Sequence, residues 1–133
     1  MSWDIFVQDI PAGAKSVADI PDDFEPREIG LRSEIIAKIQ RAFPEADFTD
    51  PAWGRLDGPG YSLELNFGEE ECLSGFAIHS RGGELDAHAI AEILAAVRQR
   101  AFDPQNESGI FNPASARESQ ARWEEYRRRW TRA

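Results

Sequence analysis

One alternating run constrains the fold of this chain more than any other feature of its sequence. From Tyr61 to Phe67 every second side chain is apolar, and the side chains between them are polar. A period of two is typical of a β-strand with one buried face. A polar link at residues 68–71 leads to a second run with the same period, Leu73 to Arg81. Two such runs joined by a short link predict an antiparallel hairpin.

The other periodic runs predict one strand before this hairpin and a helix on each side of it. The alternation from Trp3 to Val7 predicts the first strand. Apolar residues with helical spacing predict one helix from Leu31 to Phe43. A second helix is predicted to begin with Asp86 as its N-cap and to continue to about Ala101.

The segments between these elements complete the predicted topology. Residues 50–60 are predicted to form a loop, and residues 102–111 form at most a short edge strand. The order of elements predicts an α+β fold, a ferredoxin-like βαββαβ two-layer sandwich with both main helices on one face of an antiparallel sheet. If residues 102–111 are irregular, the sheet has three strands and the two layers remain.

By composition the chain divides into a body and a basic C-terminal segment. A chain of 133 residues is expected to form one core, and we predict a single α+β domain over residues 1–112. Asn112 and Pro113 are residue types that begin helices, so residues 113–133 are predicted to form an added amphipathic helix. This helix would pack on the domain or on a partner through an aromatic stripe, Trp123, Tyr126 and Trp130.

Charge differs between these two parts. The formal net charge is -9, and six arginines with three glutamates give residues 114–133 a charge of +3. Residues 1–113 therefore carry 9 basic and 21 acidic side chains, or -12. A body with this much negative charge repels the phosphate backbone of nucleic acids, which argues against nucleic-acid binding. The same charge favours fast encounter with a basic protein. Alternatively, the acidic surface serves solubility alone, or the basic segment folds back onto the body.

Several classes of protein are disfavoured by features that the sequence lacks. No apolar run approaches the roughly 18 residues that would span a bilayer. The first residues lack the basic and apolar regions of a signal peptide, so we expect a cytoplasmic protein without membrane contact. Cys72 is the only cysteine in the sequence, which excludes an internal disulfide and a cysteine-based metal site.

The sequence holds no motif that carries a known reaction. No nucleophile elbow, phosphate-binding loop or dinucleotide-binding glycine pattern occurs, so we favour a protein that is not an enzyme and predict no cofactor and no metal. One alternative site remains on the open face, the side of the sheet that the helices do not cover. A histidine beside a carboxylate there could act as a general base or bind a ligand. This open-face site comprises Asp4, Glu64, His79 and Arg81.

Three segments resemble known families. Ser2–Val7, the hairpin and Arg100–Phe111 are similar to a family of small uncharacterised bacterial proteins. Small acidic α+β proteins with a similar helix and a similar ending also occur among the immunity proteins of bacterial toxin systems. The resemblance covers residues 1–113 and implies no catalytic residue.

These observations predict a non-enzymatic protein-binding module, an immunity-like neutraliser of a basic partner. One alternative is a small enzyme or ligand binder that uses the open face. Another is a structural protein that associates with a second copy of itself through the C-terminal helix. In the first interpretation the carboxylates pair with lysines or arginines of the partner and speed the encounter. The predicted binding residues are Asp22, Asp23, Glu25, Glu69, Glu70, Glu71, Trp123, Tyr126 and Trp130.

Overall fold

The structure is a computed structural model, and it describes residues 3–114 and residue 125. Within this part, the chain forms seven short strands and two α-helices. In chain order they are β1 (Trp3–Gln8), a 3-10 turn (Val17–Asp19), β2 (Gly30–Leu31), α1 (Arg32–Ala42), β3 (Trp53–Gly58), β4 (Tyr61–Asn66), β5 (Cys72–Leu73), β6 (Gly75–Ser80), α2 (Asp86–Val97) and β7 (Arg100–Phe102).

Five of these strands form one antiparallel sheet. Their order is β3-β4-β6-β1-β7, and β2 pairs with β5 in a separate two-stranded sheet. The predicted α+β class is confirmed, because this sheet is accompanied by two helices. The predicted hairpin corresponds to β4 and β6, which pair with Leu65 opposite Ile78. Leu73, the predicted start of its second strand, instead belongs to β5 and pairs with Gly30 of β2. β1 and α1 also lie where the sequence periodicity predicted them. α2 ends at Val97 rather than near Ala101, because Arg98 adopts a left-handed backbone conformation, and Ala101 belongs to β7.

β3 corrects the interpretation of residues 50–60 as a loop. This strand turns Leu56 and two glycines, Gly54 and Gly58, toward the core, so a single apolar side chain marks its buried face. A Cβ atom at Gly54 would overlap the ring of Phe48, and the other glycine is equally close to a tyrosine ring. The glycines leave room for aromatic rings, and the alternation by which a strand is recognised is therefore absent.

The strand order also bears on the predicted ferredoxin-like topology. That topology has a four-stranded sheet, whereas β3 adds a fifth strand beside β4, so the predicted arrangement is not confirmed. The segment 102–111 contributes only Phe102 to β7, and one isolated bridge joins this residue to Ile110. The rest of this segment turns around Asp103, whose buried carboxylate accepts a hydrogen bond from the Trp3 indole at 2.8 Å.

Alternate residues of the central strands form the core together with the two helices. Ile5 of β1, Ile78 of β6 and Leu65 of β4 lie side by side, and all three are fully buried. α1 contributes Ile35 and α2 contributes Ile90 to the same cluster. Burying an aliphatic side chain of this size contributes about 1.5–3 kcal/mol. The covered face of the sheet is therefore where the fold gains most of its stability.

Asp86 anchors the start of α2, although it is not the N-cap that the sequence predicted. It is the first residue of the helix, and it is fully buried. Its carboxylate accepts hydrogen bonds from the backbone N–H groups of Ser62, Gly82 and Gly83 at 2.8–3.1 Å. It also accepts one from the Ser80 hydroxyl. One side chain thus ties α2 to β4 and to the turn after β6.

Both helices are short. α1 has 11 residues and α2 has 12, whereas a helix that spans a bilayer needs about 20. Among the described residues, no helix combines the length and the apolarity that a membrane crossing requires.

Candidate functional site

Two acidic segments of the sequence lead into the small β2–β5 sheet, one into each strand. The two strands pair residue for residue, and the backbone N–H of Arg32 donates to the carbonyl of Glu71 at 2.7 Å. One predicted acidic segment is the loop before β2, and the other is the link before β5. Because the pairing is antiparallel, the two segments reach this short ladder from its opposite ends. We call their carboxylates the acidic edge: Asp22, Asp23, Glu25, Glu28, Glu69, Glu70 and Glu71.

The acidic edge is exposed, and no ion pair to it is found among the described residues. Every residue of the edge is exposed. Among residues 3–114 and 125, the ion pairs lie on the open face instead. Arg32, which begins α1, directs its guanidinium to the backbone carbonyl of Gly68 at 2.7 Å. The carboxylates of the edge are therefore available to lysines and arginines of a partner.

Glu28 connects the acidic edge to the cysteine. The Cys72 thiol donates a hydrogen bond to the Glu28 carboxylate at 2.7 Å. This hydrogen bond raises the pKa of the Cys72 thiol, and desolvation and the charges of Glu28 and Glu70 add to the effect. A thiol with a raised pKa is a poor nucleophile at neutral pH, so Cys72 is not a catalytic candidate.

The predicted open-face site is brought together by the sheet register. Asp4, His79 and Glu64 lie side by side on β1, β6 and β4. His79 Nδ1 is 2.7 Å from a carboxylate oxygen of Asp4. Arg81 Nη2 is 2.6 Å from a carboxylate oxygen of Glu64. The four predicted residues thus form two adjacent pairs of opposite charge type.

Trp53 belongs to this site and was not predicted from the sequence. Its ring stacks on the His79 imidazole, with the ring centroids 5.7 Å apart and the ring planes inclined by 21°. Trp53 begins the edge strand β3, and 37% of its surface is exposed. The polar alternation of Arg55 and Asp57 behind it could have indicated the strand, but the intervening glycines concealed the pattern.

Two cavities of the described residues lie away from these side chains. A cleft of about 820 Å³ opens between the loop at residues 12–15, α2 and residues 106–113. A shallower depression of about 340 Å³ lies over Gly75 and Ala77. Neither cavity includes His79 or Glu64.

Two carboxylates near β3 have their charged forms stabilised by local donors. The Tyr61 hydroxyl donates to the Glu45 carboxylate, which raises the pKa of Tyr61 to about 12 and lowers the pKa of Glu45. Hydrogen bonds from the hydroxyl and the backbone N–H of Thr49 lower the pKa of Asp47. Neither carboxylate is suited to donate a proton at neutral pH, because both pKa values move away from it.

The chemistry open to the site follows from these groups. In the part of the chain that the structure describes, no three His, Cys, Asp or Glu side chains are placed to hold a metal ion. Asp4 and His79 have the geometry of a base with its orienting carboxylate, which could accept or deliver a proton at Nε2. The acidic edge can form ion pairs with a basic surface.

The remaining predicted contacts are Trp123, Tyr126 and Trp130, and they lie outside the described residues. The same holds for the predicted helix over residues 113–133, apart from its first two residues and Glu125.

A scan of protein-family models found no match to this chain, and searches of curated proteins and of solved structures found no significant match.

Proposed function

We propose that this protein is a non-enzymatic binding module that neutralises a basic protein partner in the cytoplasm, as the immunity proteins of bacterial toxin systems do. The acidic edge is the observation that carries this proposal. Two acidic segments are joined by the β2–β5 sheet, and their carboxylates are exposed. Acidic residues that serve solubility alone would be expected to scatter over the surface rather than to flank one small sheet.

The β2–β5 sheet supports binding because its hydrogen bonds order the backbone next to the carboxylates. On one side of the small sheet, the Ile29 N–H donates to the Leu73 carbonyl at 2.8 Å. On the other side, the Arg32 N–H donates to the Glu71 carbonyl at 2.7 Å. A partner that pairs with ordered segments has less conformational entropy to remove from them.

Charge and apolar contact have separate roles in the proposed interface. A strongly acidic surface raises the association rate of a basic partner by about 10–1,000-fold at low ionic strength. An exposed ion pair adds only about 0–1 kcal/mol, so apolar contacts must supply much of the affinity. Leu31 of β2 lies between the two acidic segments and is 44% exposed. We propose that it is such a contact.

Affinity capture tests this proposal. The full-length protein is immobilised, a lysate of the source cells is passed over it at low ionic strength, and retained proteins are identified by mass spectrometry. We expect a retained protein with a basic isoelectric point. Replacing Glu69, Glu70 and Glu71 with glutamine should reduce its capture about tenfold or more.

A matched variant distinguishes the effect of the acidic edge from the effect of overall net charge. Glu34, Glu84 and Glu92 are also exposed but lie outside the edge, and replacing them with glutamine changes the net charge equally. We expect this control to reduce capture much less. Equal losses in the two triple variants, or the absence of any basic protein among those retained, would reject the proposal.

A second candidate function is a ligand binder that uses the open face. The specific observation in its favour is that Trp53 stacks on His79 beside the Asp4 carboxylate. An exposed ring next to a charge pair suits a small planar molecule with a charged or hydrogen-bonding group.

Nuclear magnetic resonance tests this second candidate. Planar aromatic acids and amines are added to the full-length protein, and the indole signal of Trp53 and the imidazole signals of His79 are followed. Saturable shifts that Trp53→Ala abolishes would support ligand binding. The absence of shifts with every compound would remove this candidate.

We also propose that the fold is a ferredoxin-like sandwich with an added edge strand. Without β3, the order of strands in the sheet is β4-β6-β1-β7. If these four strands are counted along the chain, they are the second, third, first and fourth strands of a βαββαβ unit. α1 lies between the first and second of these strands in the sequence, and α2 lies between the third and fourth. An experimental structure with right-handed crossovers would support this assignment, and left-handed crossovers would overturn it.

A further inference from the structure

We infer that the depression over Gly75 and Ala77 receives an aromatic side chain of the basic partner. This inference rests on the proposed function and adds a second apolar contact to it. The depression has a volume of about 340 Å³, and residues of β1 and β6 line it together with Ser74. This volume is at the low end of the range for small-ligand sites, about 300–1,000 Å³, so the depression suits one large side chain.

The depression exists because β6 carries small residues beside larger residues of β1. Gln8 lies opposite Gly75 and Phe6 lies opposite Ala77, and all four are on the open face. A Cβ atom at Gly75 would overlap the backbone carbonyl oxygen of Val7, so the close approach of β1 requires glycine at this position. The floor of the depression therefore carries almost no side-chain atoms.

Phe6 gives the depression an exposed aromatic wall. It is 44% exposed, although β6 and β7 pair with its strand on both sides. A second ring laid on the floor would contact Phe6 in the offset or edge-to-face arrangement that aromatic pairs prefer. Aromatic side chains that fill such pockets are often the hot spots of protein interfaces. An aromatic residue is therefore the occupant that this wall and floor fit.

One short segment of the acidic edge is bound to both strands that flank the depression. The Arg27 N–H donates to the Asp9 carboxylate at 2.9 Å. Two residues later, the Ile29 N–H donates to the Leu73 carbonyl at 2.8 Å. Glu28, which belongs to the acidic edge, lies between these two donors. The two hydrogen bonds hold its backbone beside the depression.

The partners of these hydrogen bonds adjoin the lining of the depression. Asp9 directly follows Gln8, and Leu73 directly precedes Ser74. Glu71 lies three residues before Ser74, so their Cα atoms are at most about 11 Å apart. A lysine or arginine within three residues of the partner's aromatic residue can therefore reach a carboxylate of the edge. This charge complementarity favours a basic partner as the source of the aromatic side chain.

Nuclear magnetic resonance with two basic peptides tests the inference. The peptides Lys-Lys-Trp-Lys-Lys and Lys-Lys-Ala-Lys-Lys have the same charge and differ only in the aromatic side chain. Each is added to the labelled full-length protein, and the backbone signals of the acidic edge, Gly75 and Ala77 are followed. We expect both peptides to shift the signals of the edge. Only the tryptophan peptide should shift those of Gly75 and Ala77, and it should bind about tenfold more tightly.

Two substitutions test whether the depression causes this difference. Phe6→Ala removes the aromatic wall, and Ala77→Leu fills the depression from its floor. Each should reduce the affinity of the tryptophan peptide about tenfold, to that of the alanine peptide. Leu85→Ala is the matched control, because Leu85 is 48% exposed and lies outside the depression. It should leave both affinities unchanged.

The outcomes separate this inference from the proposed function. Equal affinities of the two peptides for the wild-type protein would overturn the inference. If replacing residues 69–71 with glutamine still weakens both peptides, the proposed function stands. The absence of shifts with both peptides would overturn the inference and the proposed function together. Signals of Gly75 and Ala77 that change when the protein alone is diluted would show that a second copy fills the depression, which also overturns the inference.

Discussion

The two faces of the five-stranded sheet are made by the same strands but carry opposite chemistry. On the covered face, Ile5 and its neighbours on β6 and β4 are fully buried. One residue away along each strand, Asp4, His79 and Glu64 form a polar row on the open face. The comparison teaches that the apolar core and the polar row are separated by a single residue along each strand. A slip of one residue would exchange them, so the buried face also fixes the position of the polar row.

Asp86→Ala should cause the largest loss of stability. The substitution removes the acceptor for three backbone N–H groups and a hydroxyl beside the covered face. We expect the free energy of unfolding to fall by about 4 kcal/mol, measured by urea denaturation. Glu92→Ala, at an exposed position of the same helix, is the control and should change it by about 0.5 kcal/mol or less. A loss below about 1 kcal/mol for Asp86→Ala would contradict the anchoring role.

Truncations on the two faces of the sheet sharpen the comparison directly. Leu65 is fully buried on the covered face, and Leu65→Ala should cost about 3 kcal/mol. Phe6 lies on the open face and is 44% exposed, so Phe6→Ala should cost about 1 kcal/mol or less. Both values come from the same denaturation experiment. Equal losses would show that the open face contributes to the core, contrary to the separation described above.

The charge pair on the open face should contribute little to stability. The Arg81 side chain is 52% exposed, so solvent screens its interaction with Glu64. A double-mutant cycle with Glu64→Gln and Arg81→Gln should give a coupling of about 0.5 kcal/mol that decreases with added salt. A coupling above about 2 kcal/mol that salt does not change would mean that this pair is structural.

Tyr61 provides the smallest effect, a shift in titration. Its hydrogen bond to Glu45 raises the pKa of Tyr61 from 10.0 to about 12 in the folded chain. Because the folded pKa is the higher one, the stabilisation is complete below about pH 10 and is lost as the pH rises through 12. Glu45→Gln should lower this pKa toward 10, measured by tyrosinate absorbance, with Tyr61→Phe identifying the signal. An unchanged titration would show that the hydrogen bond does not form in solution.

The polar row could be predicted from the sequence because alternation reports burial directly. His79 lies out of phase with its apolar neighbours, and this places it on the open face whichever strands pair. The same reasoning failed for Trp53, because the glycines of β3 remove the apolar half of the pattern. Asp86 was recognised at the start of a helix, but its buried hydrogen bonds come from parts of the chain that sequence periodicity does not relate.

The acidic edge shows a similar limit. Both acidic segments were identified from composition, yet the pairing of the two strands that follow them was not predicted. β2 and β5 have two residues each, which is too short for any periodicity, and their pairing is a long-range contact. Contacts of this kind depend on how the larger sheet positions the loops, and local sequence carries no record of that.

The association rate constant of the captured basic partner tests the binding proposal most directly. It is measured at low and high ionic strength for wild type, for the glutamine variant at Glu69, Glu70 and Glu71, and for the control at Glu34, Glu84 and Glu92. We predict that the first variant lowers the rate at low ionic strength about tenfold, that the control changes it much less, and that salt removes the difference. Identical rates for the two variants at low ionic strength would contradict a role for the acidic edge.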